Sequence, residues 1–96
     1  MYSRTTKIVN LLGLHARPAS ALTLKAKQFE AEITIRSINA QTEKHADVKS
    51  VLQLMAACIA VGTVVEIRAE GVDEQRAVDE LVALIDTGFL EKRAQA

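Results

Sequence analysis

Within "NLLGLHARPAS", residues 10–20, an imidazole, a guanidinium and the chain's single proline fall in four consecutive positions. A neutral imidazole is a nucleophile, and an arginine two residues on can hold the oxygens of a phosphate or a carboxylate. Pro18 suits the first turn of a helix, where its missing N–H is no loss. If a helix starts at about Ala16 to Pro18, His15 occupies or immediately precedes its N-cap, and the amides of Ala16, Arg17 and Ala19 are free to point towards whatever the ring carries. Such an N-terminus acts as a partial positive charge and favours an anion by about 0.3 to 1 kcal/mol when exposed. Gly13 lets the chain turn ahead of the ring and removes a side chain near the surface. Together these residues suit a histidine that works on an anion. A phosphoryl group fits well, because its transfer depends on positioning and charge stabilisation. A solvent-facing histidine before an ordinary helix start is the alternative on these cues.

No other cluster competes. His15, His45 and Cys58 are too scattered for metal-ligand spacing, so no metal or other cofactor is expected. A paired base and nucleophile for a stand-alone hydrolase is missing too. Twelve basic and twelve acidic side chains give formal neutrality, so no nucleic-acid partner is expected. The longest apolar run, Leu54 to Val61, is far short of the roughly 18 to 20 residues that span a bilayer. "MYSRTTKIVN" lacks the apolar core of a signal peptide. The expectation is a cytoplasmic protein without membrane insertion. Cys58, inside "LMAACIAV", is expected to be a buried small hydrophobe, and His45 a solvent residue.

The elements that must position His15 follow from periodicity. Ninety-six residues argue for one domain, residues 1–96, with a single core. "TTKIVN" reads as a first strand through its β-branched residues. From Pro18 to Phe29 the pattern is helical, with Leu22, Ala26 and Phe29 on one face. In "AEITIRS", Ile33 and Ile35 point one way and Glu32, Thr34 and Arg36 the other, which is a half-buried strand. Ile38 to Asp47 is polar, a turn with a short edge strand around Gln41 to His45. Ser50 opens a second helix as N-cap of a capping box with Gln53. Val51, Leu52, Met55 and Ile59 give that helix its apolar positions, and Gly62 ends it. "TVVEIRAE" follows as a strand with Val65, Ile67 and Ala69 inward. A last helix starts at the N-cap Asp73 and carries Val78, Leu81, Val82 and Ile85. Gly88 closes it as a C′ glycine, with Phe89 folding back, and residues 91–96 form a charged, frayed tail. The order β-α-β-β-α-β-α implies two layers, helices on one face of a mostly antiparallel sheet.

"GLHARPAS", residues 13–20, closely resembles the active-site signature of the HPr family, the histidine phosphocarriers of the bacterial phosphoenolpyruvate-dependent phosphotransferase system. "FEAEITI", "VKSVLQLM", "GTVVEIRAEG" and "DEQRAVDELVALI" are similar to their counterparts in that family, in the same order, so the resemblance covers nearly the whole chain. It implies an α+β open-faced β-sandwich with a four-stranded antiparallel sheet of order 1-4-2-3 and three helices on one face. It also implies that His15 accepts a phosphoryl group on Nδ1 from phosphorylated enzyme I and passes it to a histidine of an enzyme IIA protein. Arg17 is then the charge partner. Ala16, Ala19 and Ser20 are small and leave the ring accessible to a docking partner, and Val51, Leu52, Met55 and Ala56 match the family's docking patch. Core packing is the alternative for those four.

Ser50 matches the serine that some members offer to a regulatory kinase, which would add a serine kinase/phosphorylase to the partners; the capping box explains the same residue without it. The implied molecule is a monomeric relay rather than a stand-alone catalyst. "NLLGLHARPA" and "DTGF" are similar to the nitrogen-related branch, and "GTVVEIRAEGVDEQRAV" to the sugar branch, so both stay open. "RSINAQTEKHADVKS" is longer than in the common sugar-system members, which places the extra length in a hairpin at 38–47. Two rival readings remain: a regulatory docking protein controlled at Ser50, and a small-ligand-binding regulatory module.

Overall fold

Alternating apolar and polar side chains build the sheet that carries the rest. The computed structural model describes residues 1–39 and 41–91. It has strands Tyr2–Lys7 (β1), Glu32–Ser37 (β2), His45–Asp47 (β3) and Val64–Glu70 (β4), with helices Ala16–Ala26 (α1), Val51–Ala56 (α2) and Glu74–Asp86 (α3). A 3-10 turn, Gly88–Leu90, follows α3. The strands lie in the order β1-β4-β2-β3, each neighbouring pair antiparallel. This is the expected HPr-like arrangement: order 1-4-2-3, helices on one face, the other face open.

Register explains the two faces. Ile35 pairs with Ile67 and Ile33 with Ala69, so their side chains share the helix-covered face, where all four are buried. Leu22 and Ala26 of α1 and Val78, Leu81, Val82 and Ile85 of α3 close over them. On the open face, Arg36 and Arg68 flank Glu66 at 2.8 Å and 3.3 Å.

Four element boundaries differ from the sequence expectation. β1 lies at Tyr2–Lys7 rather than along "TTKIVN". Its helix-facing positions are Tyr2, Arg4 and Thr6, whose polar groups bond to Asp79 and Asp86 of α3 instead of packing as hydrocarbon. The apolar alternation that would mark the strand is therefore weak. α1 ends at Ala26, although the chain keeps turning through Gln28 N–H to Lys25 O and Phe29 N–H to Ala26 O, which brings Phe29 into the core. β3 occupies His45–Asp47 rather than Gln41 to His45, because Ala46 is the residue that fits opposite Ile35. Within the expected hairpin at 38–47, Ala40 lies outside the described residues.

The fourth is α2, which ends at Ala56 instead of running towards Gly62. Cys58 takes a left-handed φ of 51°, and Ile59 reaches the core from the loop beyond it. Leu54 is the buried residue of this helix, whereas Leu52 is 81% exposed and Met55 43%. Cys58 itself is exposed, contrary to the expected buried thiol, because the turn that ends α2 carries it outward.

The cap residues also divide their work differently from expectation. Ser50 Oγ accepts the Gln53 N–H at 3.2 Å, but the Gln53 side chain accepts from Asp47 N–H instead of returning to Ser50. Asp73 stands at the N-cap of α3 without a side-chain cap bond. Its carboxylate instead accepts the N–H groups of Glu30 and Ala31 at 2.8 and 2.9 Å, which ties the start of α3 to the entry of β2. Gly88 takes a φ of 67° after α3 and Phe89 packs back on the core. Of the tail expected to fray, Glu91 is held against the rest of the protein, and residues 92–96 lie outside the described residues. No helix among the described residues is long and apolar enough to cross a membrane.

Candidate functional site

His15 stands where β1 has ended and α1 begins. A turn closed by Gly13 N–H to Asn10 O at 3.0 Å brings the chain round, with Leu11 and Leu12 at its exposed centre. Asn10 is fully buried and its Nδ2 donates to Gly13 O at 2.7 Å, so side chain and backbone lock the same turn. Gly13 has a φ of 65°, and a Cβ there would meet Ile59 O at 2.6 Å. The side chain that this glycine omits is thus missing from the interior, not from the surface. Leu14 N–H then donates to Ile59 O at 2.9 Å and fixes the backbone immediately ahead of the ring.

His15 is the N-cap of α1, with extended φ and ψ of −79° and −171° and no side-chain cap bond. Its ring is free for other work. Its carbonyl accepts the Ala19 N–H at 3.0 Å, the first bond of the helix. That bond removes the Ala19 amide, which is buried, from the set expected to face an anion. Among the described residues no hydrogen bond engages the N–H of Ala16 or Arg17, and Pro18 has none to offer. The helix start therefore leaves two free amides beside the ring, with the positive end of α1 behind them.

Glu91 completes the geometry. Its Oε1 lies 3.0 Å from His15 Nε2 and 3.1 Å from Asn10 Nδ2. The His15 hydrogen bond above all, then the Asn10 amide, hold the Glu91 carboxyl below the usual carboxylate range, against the opposing effect of burial. Arg17 adds a smaller attraction in the same direction. His15, Arg17, Leu11, Leu12, Leu90 and Glu91 line an open cleft of about 410 Å³. The His15 side chain is 35% exposed within it.

Around this cleft the expected docking residues divide. Ala16 and Ser20 are exposed on α1, and Leu52, Met55 and Ala56 are exposed on α2, while Val51 is half-buried against the core. Leu12, His15, Ala16, Met55 and Cys58 line a second depression of about 340 Å³ that links the ring to α2. Ser50 sits at the start of α2, half-buried. His45 is exposed on β3, and no cluster of three metal-ligating side chains gathers among the described residues.

Sequence reasoning missed Asn10 and Glu91. Asn followed three residues later by Gly is a turn signal that was there to be read. Glu91 carried no such signal, because a carboxylate in a charged tail is ordinary composition until the chain is folded.

The chain matches the family model described as "PTS HPr component phosphorylation site" over residues 2–87. It is 44% identical over 87 residues to phosphocarrier protein HPr of Haemophilus influenzae, an alignment that covers 91% of this chain and 98% of that one. It is 41% identical over 88 residues to phosphocarrier protein NPr of Shewanella violacea, with 92% of each chain covered. Among solved structures, HPr-C-His from Thermoanaerobacter tengcongensis superposes with a TM-score of 0.85 at 36% identity, covering 96% of this chain and 99% of that one.

Proposed function

The chain belongs to the HPr family of phosphotransferase-system phosphocarriers, and from that premise we propose that it relays a phosphoryl group through His15. Phosphorylated enzyme I supplies the group, His15 carries it on Nδ1, and a histidine of an enzyme IIA protein receives it. The observation that carries this reading is His15 as N-cap, with its ring in an open cleft beside Arg17 and the two free amides of α1. A phosphoryl group on that ring brings its oxygens to the amides and the guanidinium together, so its charge is stabilised by groups already in place.

A carrier must also leave each partner. Leu52 and Met55 offer apolar contact of modest size, with Ala16, Ser20 and Ala56 small enough to let a partner's histidine approach the ring. The relay acts as a monomer in the cytoplasm, in a sugar or a nitrogen-related pathway; relatives named HPr and NPr are of similar identity. Control at Ser50 by a serine kinase/phosphorylase is a second reading. The position of Ser50 at the start of α2, on the same helix as the exposed Leu52, Met55 and Ala56, favours it, since a phosphate there meets any docking partner.

The test is charging by phosphoenolpyruvate, magnesium and a cognate enzyme I. Wild-type protein gains an acid-labile phosphoryl group and His15→Ala gains none. Absence of label on wild-type protein with an enzyme I shown to be competent overturns the relay, and equal label on His15→Ala moves the site elsewhere.

A further inference from the structure

We propose that Glu91, set in place by Asn10, is a positioning residue that fixes the tautomer of His15 and so makes Nδ1 the nucleophilic nitrogen. The inference deepens the carrier reading above and rests on it.

The hydrogen-bond logic leaves one assignment. A carboxylate only accepts, so the 3.0 Å contact between Glu91 Oε1 and His15 Nε2 places a proton on Nε2. A neutral imidazole carries one N–H, and Nδ1 is left with its lone pair. Asn10 closes the alternatives. Its Nδ2 faces two acceptors, Gly13 O at 2.7 Å and Glu91 Oε1 at 3.1 Å, and turning the amide over would set its oxygen against both. Because Asn10 is fully buried and bonded into the Asn10–Gly13 turn, the carboxylate is held by a rigid part of the fold.

The approach of Glu91 is itself built. Gly88, Phe89 and Leu90 take φ values of 67°, 56° and 59° in succession. Two consecutive non-glycine residues in the left-handed region are a conformation L-residues avoid. Phe89 packs against the core, while Leu90 is 91% exposed and gains nothing from burial. What the turn achieves is to bring Glu91, in extended backbone, back over the start of α1.

In the transfer, the Nδ1 lone pair forms the new N–P bond as the bond from phosphorus to the donor's imidazole nitrogen breaks, and that nitrogen keeps the electron pair. The proton on Nε2 stays, bonded to Glu91 throughout. Positive charge that develops on the ring is met by the carboxylate. Discharge to the acceptor reverses the same steps without a proton crossing the ring.

Glu91→Ala, Glu91→Gln and Asn10→Ala test the assignment with two readouts. The first is the 15N spectrum of the His15 ring in the uncharged protein, which reports the tautomer directly. In wild type Nε2 is the protonated nitrogen; in Glu91→Ala the population moves towards that of a free imidazole. The second is the charging rate by enzyme I. Glu91→Ala lowers turnover on the order of tenfold with KM for the donor unchanged. Glu91→Gln, which still accepts from Nε2, recovers most of the loss, and Asn10→Ala falls between. Wild-type ring spectra and wild-type turnover in Glu91→Ala overturn the proposal. So does a loss in Glu91→Ala that appears only in KM, which would make Glu91 a docking residue. Should wild type itself fail to charge, the carrier reading falls, and the ring spectra still decide whether Glu91 sets the tautomer.

Discussion

Gly13→Ala separates two contributions that the sequence alone merges. An alanine at a φ of 65° adopts a left-handed conformation, which costs about 1 to 2 kcal/mol. Its Cβ also meets Ile59 O at 2.6 Å, Ala60 Cα at 3.0 Å and Val61 N at 3.2 Å. These are backbone atoms, so no side-chain rotation relieves the clash. Moving the 59–61 loop away stretches the bond from Leu14 N–H to Ile59 O, at 2.9 Å, and losing a buried bond of this kind costs about 1 to 3 kcal/mol. The total is on the order of 3 kcal/mol, and for a chain of this size it lowers Tm on the order of 10 to 20 °C. Gly62→Ala is the control. Gly62 has a φ of 87° but open space where its Cβ would stand, so only the backbone contribution of about 1 to 2 kcal/mol applies. Urea titration and calorimetry of both variants give the comparison. Equal destabilisation by the two, or a Gly13→Ala variant within about 0.5 kcal/mol of wild type, would refute the claim that the 59–61 backbone presses on Gly13.

α2 gives a second contrast: Leu54→Ala costs about 2 to 5 kcal/mol in urea titration because Leu54 is fully buried, whereas Leu52→Ala stays within about 0.5 kcal/mol and instead weakens binding to enzyme I in calorimetric titration. Ser50→Ala removes the cap on Gln53 N–H and costs about 1 kcal/mol, while Ser50→Asp keeps the cap and lowers partner affinity through its charge. The carboxyls of Asp73, Glu74, Glu80 and Glu91 are all held below their ordinary values, Asp73 chiefly by the N–H of Glu30 and Glu74 chiefly by the terminal amine. Depressed folded-state values mean stability that is present above the ordinary carboxylate range and lost as pH falls through the folded ones. Asp73→Asn therefore shows a shallower loss of stability below about pH 4 than wild type in acid titrations followed by circular dichroism.

The parts of the fold written in local pattern were readable before folding. Ile33 with Ile35, and Val65 with Ile67 and Ala69, alternate because one face of each strand meets the helices. Pro18 announces the first turn of α1 because the effect of a proline on the backbone is local. Long-range geometry was not readable. β1 turns polar groups towards α3, so alternation carries little of its signal, and β3 is a three-residue edge whose position depends on Ala46 meeting Ile35. Ile59 kept the helical spacing of α2 while belonging to a loop, since both a helix and a left-handed turn at Cys58 deliver an apolar side chain to the core. Asn10 and Glu91 meet across eighty-one positions of sequence, and only the left-handed turn at Gly88 to Leu90 joins them.

The relay itself is tested most directly by a charge-and-discharge experiment. The protein is charged by phosphoenolpyruvate and enzyme I, freed of both, and mixed with a cognate enzyme IIA protein while phosphohistidine is followed by 31P spectroscopy. The account predicts a single phosphoryl signal on Nδ1 of His15 that disappears as an equal signal grows on the IIA histidine. A charged protein that keeps its phosphoryl group, or loses it only to water, would contradict it.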